Sequence, residues 1–320
     1  MANPTFETYG TKGIREDLAD IIYNIAPTDT PFISNVGKGS ASGTYHEWQT
    51  DDLSAAADNK VAEGVAAPAA ESVATTRVGN YTQIASKTVS VTGSNEAADA
   101  AGRASQMAYQ LAKKGMELKR DMEKTLVGTD KAQSAGVAAG GSQAPRELGS
   151  VTSWIGTNCS VGATTGAVPT GDGTDIATSG DARPLTDTLL NGVIEDIWQA
   201  GGNPSMIMCG AFQKSKITGF EGNTNTARKF TDAESKKFIN AVDVYVSDYG
   251  ELNVVPNRLM LTDTLLVLQP DMWSVDTYRD FQTKDLAVTG DFESKQLLVE
   301  YTLTSKNEAA SGAIRDLTTA

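Results

Sequence analysis

Small and apolar side chains recur at Ala97, Ala101, Ala104, Ala108, Leu111, Gly115, Leu118, Met122 and Leu126, in alternating steps of three and four with polar residues between them. This period predicts one helical run from Ser94 to Gly128, fed by an alternating β segment at Thr88 to Thr92. At 1.5 Å per residue such a helix is ~50 Å long, beyond the diameter of a small domain. Globular helices average about three turns, so a run of this length suits a spine in an extended subunit that tiles with copies of itself. Gly102 and Gly115 interrupt the stripe, and no strong Leu or Ile seam supports a solitary coiled coil.

Other periods mark shorter elements. Leu297, Val299, Tyr301 and Leu303 alternate with Leu298, Glu300, Thr302 and Thr304, which predicts a half-buried strand. Thr44 to Gln49 and Tyr81 to Thr92 read as strands with aromatic and β-branched residues, able to pair as a long two-stranded arm across an Ala-, Asp- and Glu-rich insert at Ala55 to Ala74. An isolated hairpin is marginal in water, so this arm calls for a neighbouring surface. Thr186, an N-cap with Asp187 behind it, opens a helix with the stripe Leu189, Leu190, Val193, Ile194, Ile197 and Trp198, and Gly201-Gly202-Asn203-Pro204 stops it. Strands at Met206 to Cys209, Val242 to Ser247, Leu252 to Val255 and Leu265 to Leu268 alternate with helices at Ala211 to Phe220 and Asp232 to Ala241, giving a compact mixed α and β unit. Ile14, Leu18, Ile21, Ile22 and Ile25 lie at helical spacing before Pro27 and Pro31 force an extended path, so Met1 to Asn35 reads as an arm that packs on something else. Gly37-Lys38-Gly39-Ser40 reads as a turn. Ala132 to Ala182 is rich in Gly, Ala, Thr and Ser apart from Val151 to Ile155, and reads as a surface excursion.

Composition narrows the functional classes. The 320 residues, 40% hydrophobic and 21% charged, can bury a substantial core and divide into two or more compact units. The longest apolar runs, such as Leu265-Leu266-Val267-Leu268, are far short of a bilayer span, and no basic and then apolar leader opens the chain; both predict a soluble chain that is not classically secreted. Cys159 and Cys209 form neither a disulfide framework nor a metal spacing. A net charge of -13 argues against nucleic acid as a tightly bound ligand, because phosphate binding is driven by Lys and Arg, and it suits a surface that tolerates DNA without gripping it.

Candidate chemistry is sparse. His46 is the one histidine, so any triad or His-metal site would centre on it, yet it falls in an arm strand beside Glu47 and Trp48. Asp51-Asp52 and Glu16-Asp17 are adjacent in sequence, which does not set two carboxyls at glycosidase spacing. Gly171-Asp172-Gly173-Thr174-Asp175, with Asp181 nearby, lacks the ligand order and closing Glu of a Ca²⁺ loop. Gly37-Lys38-Gly39-Ser40 shares only composition with a phosphate loop, since Phe32 stands where the first Gly belongs. Asn80-Tyr81-Thr82 and Asn158-Cys159-Ser160 match the glycosylation triplet without a secretion signal to go with it. The charges Lys113-Lys114, Lys119-Arg120-Asp121 and Glu123-Lys124 mix both signs along one helix, as a solvent face laced with i,i+4 pairs does; a contact with another subunit is the sharper reading. No catalytic, cofactor-binding or metal residue is assigned, and the chain is not read as an enzyme.

Several phrases carry a family resemblance: Gly13-Ile14-Arg15-Glu16-Asp17-Leu18, Tyr23-Asn24-Ile25-Ala26-Pro27-Thr28-Asp29-Thr30-Pro31-Phe32, Tyr45-His46-Glu47-Trp48-Gln49-Thr50-Asp51, Tyr109-Gln110-Leu111-Ala112-Lys113-Lys114, Val244-Tyr245-Val246-Ser247-Asp248-Tyr249-Gly250, Val255-Pro256-Asn257-Arg258 and Asn307-Glu308-Ala309-Ala310-Ser311-Gly312. Taken together and in order, they resemble the major capsid proteins of tailed bacteriophages with the Hong Kong 97 fold. The resemblance implies an α+β fold with an N-terminal arm over 1–37, an extended hairpin called the E-loop over 38–92, and a P-domain with spine helix and Gly-rich insertion over 93–185. An A-domain over 186–275 and a return to the P-domain with the C-terminus over 276–320 complete it. It also implies self-assembly as pentamers and hexamers into an icosahedral head shell, with portal, scaffold or decoration proteins as partners, no membrane, and packaged double-stranded DNA enclosed without specific binding. The chain would be assembled in the host cytoplasm and reside in the virion capsid. With no cleavable scaffolding domain ahead of Met1 to Asn35, a separate scaffold or an already processed chain is expected. Since fold alone does not define function, an encapsulin-like bacterial compartment is the nearest alternative, and a soluble enzyme the alternative of another class.

Overall fold

The strand foreseen at Leu297 to Thr304 is the centre of the first of two larger sheets. The computed structural model describes residues 29–51, 53–54, 56–64, 66, 74–98, 104–136, 144–220 and 243–319. β11 (Phe292–Ser305) runs antiparallel to β10 (Trp273–Asp285) on one side and to β4 (Gln83–Thr92) on the other, and β1 (Gly37–Ser40) joins the far edge parallel to β10. Its two faces are not the expected apolar and solvated pair. Leu297, Val299, Tyr301 and Leu303 enter the core as predicted, but Glu300, Thr302 and Thr304 are buried as well. The reason is a second cover. Asn80 Nδ2 donates to the Leu303 carbonyl at 2.8 Å, Thr302 Oγ1 to the Tyr81 carbonyl at 3.1 Å, and Arg146 reaches Glu300.

The long helix is shorter than its pattern. A one-turn helix, α2 (Gly93–Ala97), is followed by α3 (Gln106–Val127), so the regular spine has 22 residues and is about 33 Å long. Ala98 is extended at ψ 131°, and Ser105 caps α3 by accepting from Ala108 N at 3.1 Å while the Glu96 carboxylate accepts from Met107 N. A serine at N-cap and a carboxylate on the first turn satisfy the orphan N–H groups, which fixes the start here despite the small-residue stripe upstream. α3 packs on β4 and β11 through Leu118, Met122 and Leu126.

The segment Gly37 to Ser40 is a strand, not a turn. Its glycines serve close approach: a Cβ on Gly39 would stand 2.3 Å from Asp276 Oδ1, so β1 lies against β10 only without one. The two arm strands also pair differently from the expectation. β2 (Tyr45–Thr50) pairs antiparallel with β3 (Thr76–Tyr81), while β4 belongs to the four-stranded sheet. Thr82 separates β3 from β4, its N–H donating to Thr44 O and its hydroxyl to Glu300 at 2.7 Å.

The second sheet has six strands in the order β5 (Cys159–Ser160), β12 (Gly312–Ile314), β9 (Leu265–Leu268), β6 (Met206–Cys209), β8 (Gly250–Pro256) and β7 (Val244–Ser247). Both faces of its centre are covered, which is why β6 and β9 are unbroken apolar runs. Met206, Met208, Leu266 and Leu268 join the core that holds α3, and Ile207, Cys209, Leu265 and Val267 pack under α5 (Asp187–Gln199). Thr186 caps α5 by accepting from Leu189 N at 3.2 Å, and Leu190, Val193, Ile194 and Ile197 are buried as their stripe predicts. Trp198 departs from that stripe at 56% exposed, stacked on Tyr249 instead. α6 (Ala211–Thr218) follows β6. β12, near the C-terminus, pairs antiparallel with β9 and so belongs to the second sheet.

Within 132–182 the apolar piece foreseen at Val151 to Ile155 extends to a buried run over 148–156, while most of 163–182 is exposed, as a surface excursion is. Leu148, Val151, Trp154 and Ile155, on and around the single turn α4 (Val151–Trp154), are buried, and β5 adds an edge to the six-stranded sheet. Carboxylates hold its polar backbone: Asp316 accepts from Gly162 N and Gly180 N at 2.8 and 2.9 Å, and Glu308 from Gly156 N at 3.1 Å. Gly173 at φ +77° lets the chain lie on the Trp154 ring, 2.7 Å from where a Cβ would be. The small residues that suggested a loose loop are thus those that permit close packing. The helical spacing at Ile14 to Ile25 and the helix at Asp232 to Ala241 lie outside the described residues. A short helix, α1 (Pro31–Asn35), buries Phe32 against Trp273.

Candidate assembly surfaces

His46 sits on β2 with Nε2 at 3.3 Å from Asp276 Oδ2, and Asp276 also accepts from Thr304 Oγ1 at 2.5 Å. Neither a serine nor a cysteine completes a relay there; the group joins the ribbon to the sheet beneath. The other carboxylates are similarly engaged. Glu123 accepts from Phe32 N at 2.8 Å, Ile33 N at 3.0 Å and Asn257 Nδ2 at 2.7 Å; burial pushes its carboxyl above the usual range and those donors pull it partly back. Asp130 holds Arg315, and this partner keeps the guanidinium's proton more firmly bound although burial works against it. Asp172 and Asp175 gather the hydroxyl of Thr170 between them, and Asp172 also takes the N–H and hydroxyl of Thr174, so this loop spends its carboxylates on its own chain. Among the described residues no group of three or more His, Cys, Asp or Glu is placed to hold a metal ion, and no helix is long and apolar enough to cross a membrane. Burial raises both thiols, Cys159 and Cys209, from 9.0 to about 11, the reverse of what a nucleophile needs. Asp52, Glu16 and Asp17 lie outside the described residues.

What the structure does present is surface built for contact. The β2–β3 ribbon alternates along its length: His46, Trp48 and Thr50 are half-buried, and Tyr45, Glu47 and Gln49 are exposed. Its inner face is anchored by Trp48 stacked at 5.3 Å on Trp154, and its outer face carries a Tyr45–Tyr81 ring pair at 4.5 Å and a Glu47–Arg77 ion pair at 3.0 Å. Burial, then the neighbouring Tyr81 and Glu47, holds the Tyr45 hydroxyl above its usual range. Beyond Thr50 the described residues of 51–64 are all exposed, with Leu53 at 99% and Val61 at 61%. Leu53 and Val61 are eight residues apart along this exposed segment, single apolar side chains in water rather than a contiguous patch.

A second exposed region lies at the far end of the β10–β11 pair. β10 is buried from Trp273 to Asp276 and open beyond, with Tyr278, Phe281, Leu286 and Val288 each more than a third exposed. Beside it, Val91, Met107, Val288 and Phe292 line a groove of about 550 Å³ with Glu96 at its rim. The charges of α3 form the third. Glu117 pairs with Lys114 at 2.7 Å and Asp121 with Lys87 at 2.6 Å, so the predicted mixed-charge face is laced in part by a pair to β4. The alternation of the ribbon strand and the mixed charges of this helix are legible in the sequence, whereas Glu300, Asp276, Glu308 and Asp316 carry no local signal, because their partners lie far away along the chain.

A family profile described as SU10 major capsid protein matches residues 4–318. The curated "Major capsid protein" of Escherichia phage Phieco32 is 29% identical, with 98% of this chain and 97% of that protein aligned. Among solved structures, the chain resembles a Cyanophage A-1(L) capsid asymmetric unit at TM-score 0.67 and 12% identity, covering 95% of this chain and 97% of that one. A chain from Mycobacterium phage Cain is similar at TM-score 0.59 and 12% identity, with 96% of each covered. At such identities the structural likeness speaks for the fold alone.

Proposed function

The chain belongs to the SU10 major capsid protein family, and from that premise we propose that its copies tile as pentamers and hexamers into an icosahedral head shell around double-stranded DNA. It is a phage major capsid protein and a structural component of the capsid. In this reading the four-stranded sheet with α3 is the P-domain, the six-stranded sheet with α5 and α6 the A-domain, residues 1–37 the arm, and the β2–β3 ribbon with its exposed loop the E-loop. Assembly in the host cytoplasm, a portal and scaffold or decoration proteins belong to the same proposal, and no catalysis is ascribed to the chain. The observation that carries it is the ribbon. Its root is bound into the body through Trp48, His46 and Asn80, whereas its outer loop carries Leu53 in full contact with water, as suits an element laid over a neighbouring subunit. Stability of the shell then comes from summed burial between copies. Purified chain, alone and with its scaffold, should give shells or capsomers by light scattering and negative-stain electron microscopy. A monodisperse monomer under every salt and crowding condition would sink the proposal.

A further inference from the structure

The charges of α3 divide unequally between its two sides. Each acidic group is engaged: Glu117 with Lys114, Asp121 with Lys87, and Glu123 turned inward onto Phe32, Ile33 and Asn257. Lys113, Lys119, Arg120 and Lys124 remain, and among the described residues none of them forms an ion pair within 4.0 Å; Lys113 acts on Glu117 at longer range, and Arg120 Nε is buried without a hydrogen-bond partner. Lys113, Arg120 and Lys124 stand at i, i+7 and i+11, which at 3.6 residues per turn places them within about 40° of one another along about 16 Å of helix. Lys113, Lys119 and Lys124 are exposed and Arg120 partly so. Arg258, exposed beside the Asn257 that bonds Glu123, adds a cation at the C-terminal end of the helix. Glu117 stands on the same side, about 20° from Lys124 and within electrostatic reach of Lys113, so three cations with one acid leave a local excess of positive charge on a chain with net charge -13.

We propose that this ridge on the outer face of α3 is a contact surface for the phosphate backbone of duplex DNA, sequence-independent and salt-sensitive. The proposal rests on the shell reading above only for the source of the DNA. Charge complementarity favours it: a row of cations in excess over its one acid matches a backbone that presents one negative charge per about 1.7 Å of axis. A protein partner is disfavoured because interfaces centre on apolar and aromatic anchors, and the one large apolar side chain exposed on α3 is Met116. The general acidity of the chain limits the contact to this line, so the duplex is touched without being held fast.

The test is binding of a labelled mixed-sequence duplex of about 20 base pairs to the soluble full chain, by fluorescence anisotropy over a low-salt series, where each phosphate contact adds about one unit of log–log salt slope. Variants are a ridge triple, Lys113→Gln with Arg120→Gln and Lys124→Gln, and a control triple with the same charge change, Lys38→Gln with Lys216→Gln and Lys284→Gln. The ridge triple should bind roughly tenfold or more weakly, with a slope shallower by about three, while the control triple stays within about twofold of wild type. Equal losses in both triples, or no duplex binding by wild type, would overturn the proposal. So would binding of poly-glutamate in place of duplex, which would assign the ridge to an acidic protein. Circular dichroism checks that the variants fold, and if the triple does not, the single Lys113→Gln and Lys124→Gln variants give the slope one unit at a time. Particle formation by the same preparations keeps the two readings apart: shells without ridge-dependent binding remove only this inference, and absent shells remove only the earlier one.

Discussion

At the scale of the residue, buried carboxylates join segments far apart along the chain. Glu300, 1% exposed, takes Arg146 Nη2 at 2.6 Å, Arg279 Nε at 2.7 Å and Thr82 Oγ1 at 2.7 Å, so every oxygen is used. Replacing it leaves two guanidinium groups facing each other over a dry site, and Glu300→Ala should cost roughly 3 kcal/mol in urea unfolding. A loss below about 1 kcal/mol would show that solvent at the half-exposed arginines replaces the carboxylate. The thiols give a second prediction. With both pKa values raised to about 11, the thiolate at neutral pH is about 100-fold scarcer than for a free cysteine, so iodoacetamide should label native chain slowly and unfolded chain fast. Because the folded values lie above the ordinary 9.0, the stability they contribute is complete below pH 9 and is lost as pH rises through about 11. Cys159→Ala with Cys209→Ala should therefore show a flatter fall in thermal midpoint across that window.

At the scale of the element, capping and contact decide what periodicity leaves open. Ser105 and Glu96 start α3 at Gln106 rather than at the predicted Ser94, because capped N–H groups define a terminus more firmly than alanine content does. β1 shows the converse, a Gly-rich piece that is a strand because β10 lies too close for side chains. Gly39→Val would drive a branched side chain into Asp276 and release its contacts with Thr304 and His46. The expected cost is about 1–3 kcal/mol, with faster amide exchange along β1 and at Ala41, whose N–H donates to Thr277 O. Unchanged exchange at Ala41 would mean that β1 is held from elsewhere.

At the scale of the whole molecule, folding and assembly draw on different parts of the chain. Both cores lie under the two larger sheets, and the described residues of 51–64 contribute none of their side chains to either. Replacing 51–75 by a short turn between Thr50 and Thr76 should leave near-ultraviolet circular dichroism and the thermal midpoint within a few degrees of wild type, since every described residue in that range is exposed. Closed shells should fail to form. Wild-type particle yield by electron microscopy from that deletion would make the ribbon dispensable.

The sequence by itself determined the α+β class, the caps and stripe of α5, the bounds of β6 and β9, the core face of β11 and the existence of a two-stranded ribbon that begins at Tyr45. These follow from periods of 2 and 3.6 and from local turn chemistry, which act between residues a few positions apart. Only the tertiary structure decided that β3 rather than β4 partners β2, that 148–156 within the Gly-rich stretch is packed core, and that β12 belongs to the second sheet. It also decided that Glu300 on the polar face of β11 is dry. A pattern reports that a face is to be covered but not by what: Arg146 and Glu300 are 154 residues apart, and nothing local in either records the other.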